Sequence, residues 1–67
     1  MQDFNPDISA AEALVGLAVA DVELNLILAT LRQTEGNRTH AAFILGISIR
    51  TLRNKLRDYS ERGFAIP

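Results

Sequence analysis

The chain is 67 residues long, carries a formal net charge of −1 and contains no cysteine, so neither a disulfide nor a thiolate metal site can staple it. One domain of this size buries a modest fraction of its surface and is marginal alone, which leaves association with a second copy as the available supplement. No stretch approaches the roughly 18 consecutive apolar residues of a membrane span, and the N-terminus lacks the basic run of a signal peptide, so a soluble cytoplasmic chain with no membrane partner is expected.

The average charge hides an asymmetry. Residues 1–31 hold Asp3, Asp7, Glu12, Asp21 and Glu23 with no Lys or Arg, whereas residues 32–67 hold every basic residue against Glu35, Asp58 and Glu61. The second half is therefore suited to an anionic partner.

In chain order, residues 1–7 read as a frayed leader of turn formers around Pro6. A short helix is predicted over residues 9–15, with Ser9 as N-cap and Glu12 completing a capping box, interrupted at Gly16. A longer helix is predicted from an Asp21 cap to about Glu35, ended by Gly36-Asn37 as a left-handed stop. Residues 38–46 form a third helix of about two turns, capped by Asn37 or Thr39 and stopped at Gly46. Ser48 caps the fourth, which Gly63 ends. The fold class is all-α: a small four-helix domain whose segments are a leader (1–7), dimerisation helices (8–36), a helix-turn-helix unit (37–63) and a tail (64–67).

The second helix carries apolar residues on two faces, Val22, Leu26 and Ala29 on one and Leu24, Ile27, Leu28 and Leu31 on the other. Two stripes imply burial on both sides. Either the short first helix covers the second stripe or an equivalent helix of another subunit does, and the shortness of the first helix favours the subunit. Val22, Leu24, Leu26, Ile27, Leu28 and Leu31 are the candidate dimerisation residues.

A helix-turn-helix needs a small residue where its helices touch, a residue tolerant of positive φ at the turn, and apolar anchors beyond it. Ala42, Gly46, and Ile47 with Leu52 and Leu56 supply these. On the fourth helix Ile49, Leu52, Leu56 and Tyr59 share one arc, and Arg50, Thr51, Arg53, Asn54, Lys55 and Arg57 fill the remainder with Asp58 as the one acid among them. Such donors suit a duplex: Arg forks onto guanine O6 and N7, Asn pairs with adenine N6 and N7, and Thr or Lys holds phosphates. A merely solvated face would mix both signs.

The run "GNRTHAAFILGISIRTLRNKL" closely resembles the Fis-type helix-turn-helix through Gly36-Asn37, Thr39, Ala41-Ala42, Gly46-Ile47, Thr51-Leu52, Lys55-Leu56 and the following Tyr59. Upstream, "VADVELNLILATL" resembles the helix that precedes this motif in sigma-54-dependent activators of the NtrC group, and the whole is most similar to flagellar activators of alphaproteobacteria and their response-regulator relatives. The resemblance implies an intertwined homodimer formed through the first two helices, with AAA+ and receiver domains upstream in a longer protein. It implies phosphate contacts at Asn37 and Thr39 and DNA contacts at Ser48, Thr51, Arg53 and Lys55. His40, Ile49 and Asn54 stand where nucleoid Fis has basic residues, and Ile49 could instead touch a thymine methyl. Arg50 and Arg57 complete the candidate DNA-binding set from the helical pattern.

The function expected is a sequence-specific DNA-binding domain of a bacterial transcriptional regulator, placing the fourth helix of each subunit in the major groove of a partly palindromic, enhancer-like site. The competing readings are a helical protein-interaction module and a stand-alone nucleoid protein, the latter disfavoured by the weak net charge. No catalytic set, metal set or phosphate loop is present in the sequence, so neither enzyme activity nor a cofactor is expected.

Overall fold

The computed structural model describes residues 5–67, which form α1 (Ile8–Ala11) running into one 3-10 turn at Glu12–Leu14, α2 (Val19–Gln33), α3 (Arg38–Leu45) and α4 (Ile49–Glu61). Of the leader, residues 1–4 lie outside the described residues and 5–7 are exposed. No single described helix is long and apolar enough to cross a membrane.

The first helix differs from the expectation. Asp7, not Ser9, is its N-cap, with Oδ1 accepting the Ala10 N–H at 3.0 Å. A carboxylate here satisfies an orphan amide and meets the positive end of the peptide dipoles, which a hydroxyl two residues later cannot do. Glu12 consequently stands at the end of α1 rather than in a capping box. Gly16, at φ 104°, then turns the chain.

Helix α2 begins at Val19, two residues before the expected Asp21 cap, because Ala18 already accepts the N–H groups of Asp21 and Val22 through its carbonyl. Asp21 instead lies in the first turn, where its charge favours the exposed amides. At the far end the helix closes at Gln33. Glu35 donates its N–H to Arg32 O and Gly36 donates to Leu31 O at 2.8 Å, the bonding of a Schellman cap. The residue in the left-handed C′ position is Glu35, at φ 54°, with Gly36 following at φ 83°. The expected glycine stop is therefore displaced by one residue.

Asn37 caps α3, its Oδ1 accepting the His40 N–H at 3.0 Å, which decides between Asn37 and Thr39. Gly46 and Gly63 occupy the left-handed positions after α3 and α4 as expected.

One core joins α2, α3 and α4: Leu24, Ile27 and Leu31 from α2, Ala41 and Ala42 from α3, and Leu52, Leu56 and Tyr59 from α4. Leu28, Leu45, Ile47, Ile49 and Ile66 pack around it, so the C-terminal tail is tied to the body through Ile66. Buried Thr30 returns its hydroxyl to Leu26 O at 2.7 Å, so it leaves no unmet donor. Helix α1 and its 3-10 turn contain no buried residue, and Ile8, Leu14, Val15, Leu17 and Val19 are exposed.

This core sorts the candidate dimerisation residues. Leu24, Ile27 and Leu31 are consumed by contacts within the chain, and Leu28 flanks the same core. Val22 is half-buried and Leu26 is 58% exposed, so the stripe left open is the one bearing Val22, Leu26 and Ala29. The stripe that the grouping treated alike is inward because α3 and α4 both pack on it.

Candidate nucleic-acid interface

The turn between α3 and α4 is set by Gly46 at φ 72°, whose N–H reaches Phe43 O at 3.2 Å while the Ile47 N–H reaches Ala42 O at 3.1 Å. Ala42 is almost wholly buried and Ile47 packs against the core, so the small residue and the anchor both serve as the spacing predicts. Leu52 and Leu56 bury the inner face of α4. This docking fixes which way the helix presents its remaining residues.

Arg50, Thr51, Arg53, Asn54 and Arg57 are all exposed. Among the described residues, Arg50, Arg53 and Arg57 enter no ion pair. Asp58, on the same helix, is held by Arg62 at 3.3 Å, which lowers its capacity to repel an anion. The result is a helix face of free guanidinium groups and an amide, with fixed direction.

Four other candidate residues are placed differently. Ser48 Oγ accepts the Thr51 N–H at 3.0 Å and donates to Thr51 Oγ1 at 2.9 Å, so the serine hydroxyl is engaged in capping α4 and in holding the threonine oxygen. Asn37 is engaged in capping α3. Ile49 is half-buried against the core, on the arc it shares with Leu52, Leu56 and Tyr59. Lys55 lies on the flank of α4 that meets α2, where its Nζ pairs with Glu23 Oε1 at 2.5 Å. The hydrogen bond that the ammonium donates to Glu23 raises the lysine above its usual value, against an opposing effect of burial. Thr39 and His40 are exposed in the first turn of α3.

Sequence reasoning missed Glu23, because nothing local links residues on separate helices. It also missed Arg62, which closes on Asp58 and lies 5.9 Å from the Tyr59 ring centroid and 5.3 Å from that of Phe64. The i, i+4 spacing of Asp58 and Arg62 was the available signal.

Residues 18–59 match the sequence model of the family described as "Bacterial regulatory protein, Fis family". The chain is 61% identical over 59 residues to transcriptional regulatory protein FlbD of Caulobacter vibrioides, covering 88% of this chain and 13% of that protein. It is 45% identical over 47 residues to DNA-binding protein Fis of Buchnera aphidicola, covering 70% of this chain and 48% of the relative. It is 53% identical over 38 residues to regulatory protein AtoC of Escherichia coli, covering 57% of this chain and 8% of that protein. No solved structure matches. The chain thus spans a small part of FlbD and about half of Fis. Since the family match takes in α2, α3 and nearly all of α4, the elements that build the core and the exposed basic face, the chain belongs to the Fis family of bacterial regulatory proteins.

Proposed function

We propose that this DNA-binding domain of a transcription regulator works as a homodimer, each copy laying α4 into the major groove of one half of a partly palindromic, enhancer-like site. The observation that carries the reading is the fixed outward face of Arg50, Arg53, Asn54 and Arg57, set by the Gly46 turn and by burial of Leu52 and Leu56. Arginine and asparagine supply base-edge recognition. Thr39 and His40, at the start of α3, are positioned on the chain to reach the flanking backbone.

The dimer reading is supported by the open Val22 and Leu26 stripe and by an apolar groove of about 330 Å³ lined by Leu14, Val22, Asn25 and Leu26. A second copy of α1 and α2 fills such a groove and covers the side chains that α1 leaves exposed. By its likeness to FlbD and AtoC, the domain serves within a longer cytoplasmic sigma-54-dependent activator, downstream of AAA+ and receiver domains. Its own role there is regulatory, and the chemistry of ATP hydrolysis belongs to the other domains.

The test is fluorescence anisotropy with a duplex selected by this chain from a random pool, compared with scrambled duplex over a salt series. Preferential binding that weakens steeply with salt is expected. Arg53→Ala is expected to cost roughly 1 to 3 kcal/mol in binding the selected site while leaving the dimer intact. Equal binding of selected and scrambled duplex, without salt dependence, would favour the protein-interaction reading instead.

A further inference from the structure

We propose that Glu23 on α2 masks Lys55 on α4, so that the recognition helix meets DNA with one fewer effective cation than its sequence carries. The inference rests on the DNA-binding reading above, and makes Glu23 a positioning residue that sets the sequence-independent part of DNA affinity. Its basis is a contact between two helices that no local pattern announces: Lys55 Nζ and Glu23 Oε1 lie 2.5 Å apart, with the lysine side chain 34% and the glutamate 43% exposed.

The position of Lys55 separates it from its neighbours. Arg50, Arg53 and Arg57 are exposed and have no carboxylate partner among the described residues, whereas Lys55 is half-buried beside Tyr59, in a groove of about 320 Å³ lined also by Ala20, Asn54, Asp58 and Arg62. Its ammonium reaches across that groove to α2. An ammonium that left Glu23 for a phosphate would leave the carboxylate uncompensated near the duplex. To first order the attraction gained and the repulsion uncovered cancel, so the pair releases no net counterion from DNA.

The test measures salt dependence of binding to random-sequence duplex by wild type, Glu23→Gln, the double variant Glu23→Gln/Lys55→Gln, and Arg53→Gln. Freeing one phosphate-binding cation is expected to steepen the log-log slope by about 0.9, so that between 50 and 200 mM salt the Glu23→Gln variant loses about 3.5-fold more affinity than wild type. The double variant, which removes a neutral pair, is expected to return to the wild-type slope. Arg53→Gln is expected to be shallower than wild type by about 0.9.

A double variant as shallow as Arg53→Gln would identify Lys55 as a direct phosphate contact and overturn the proposal while leaving the DNA-binding reading intact. Glu23→Gln with lowered thermal stability and an unchanged slope would also overturn it, since that is the signature of a purely structural tie. Wild type with no salt-dependent binding would overturn both.

Discussion

Gly36 donates its N–H to the Leu31 carbonyl at 2.8 Å and so closes the end of α2 around Glu35, a glutamate held at φ 54°. The same six-residue closure recurs where Ile47 reaches Ala42 O around Gly46, and where Phe64 reaches Tyr59 O around Gly63. Two of the three caps put glycine in the left-handed position and the third puts a side chain there. A residue with a Cβ is strained in that conformation by about 1 to 2 kcal/mol, a cost that asparagine partly escapes by bonding locally. Glu35→Asn is therefore expected to raise unfolding stability by about 1 kcal/mol, read as a higher urea midpoint with unchanged slope. A lowered midpoint would show that the glutamate side chain contributes more than its backbone conformation costs.

Ser48 is a candidate DNA residue whose hydroxyl is already committed to Thr51, both as acceptor and as donor. Replacing an N-cap serine with alanine costs about 1 kcal/mol. Ser48→Ala is expected to lower stability by that amount, and Ser48→Asp to retain most of it, since aspartate caps equally well. Aspartate nevertheless adds a negative charge at the α4 N-terminus, so its DNA affinity is expected to fall well below that of the alanine variant. Urea titration and anisotropy on the same three proteins separate the two roles.

The helical class, the Gly46 turn, the inner face of α4 and the Ser48 cap were legible because each depends on contacts within a few residues, whereas the α3 cap was narrowed only to Asn37 or Thr39. Ser9 and Asp21 misled for a related reason. Several residues there can cap, and the choice depends on where the backbone leaves helical geometry, which Asp7 and Ala18 decide. The two apolar stripes of α2 were visible as a pattern, but their assignment needed the positions of α3 and α4, which bury Leu24, Ile27 and Leu31 and leave Leu26 outside. The candidate DNA face was legible in composition and not in detail. Lys55 sits at the edge of the helical arc, where a small rotation decides between neighbouring helix and solvent, and only the packed structure supplies it.

That division of α2 can be tested by contrasting its two sides. Leu31 is fully buried, so Leu31→Ala is expected to destabilise the fold by about 2 to 5 kcal/mol through lost burial and the cavity left behind. Leu26 lies on the open stripe, so Leu26→Glu is expected to leave helical circular dichroism near the wild-type value at low temperature while shifting the sedimentation equilibrium from dimer to monomer. DNA affinity should fall with it, because two half-sites are no longer engaged together. Unfolding of the Leu26→Glu variant under those conditions would place Leu26 in an obligate core shared by two chains.

The last expectation concerns alkaline pH. Tyr59 is buried at the α2–α4 junction, and that burial, with the Glu23 charge adding to it, raises its phenol above the ordinary value of 10.0, while the charges of Lys55 and Arg62 oppose the rise and Asp58 adds to it. The unfolded chain thus releases the proton first. Between the ordinary value and the higher folded one, the native state holds more protons than the unfolded state, so stability falls as pH rises. Lys55 is raised from 10.5 by its bond to Glu23 and contributes in the same direction. Stability is therefore expected to be level below about pH 10 as far as these groups are concerned and to decline above it. Tyr59 is the sole tyrosine, so phenolate absorbance follows it directly and should titrate later in the folded protein than in urea. Tyr59→Phe should reduce the alkaline loss and leave a smaller residue from Lys55, whereas an undiminished loss would assign the effect to the lysine pair alone.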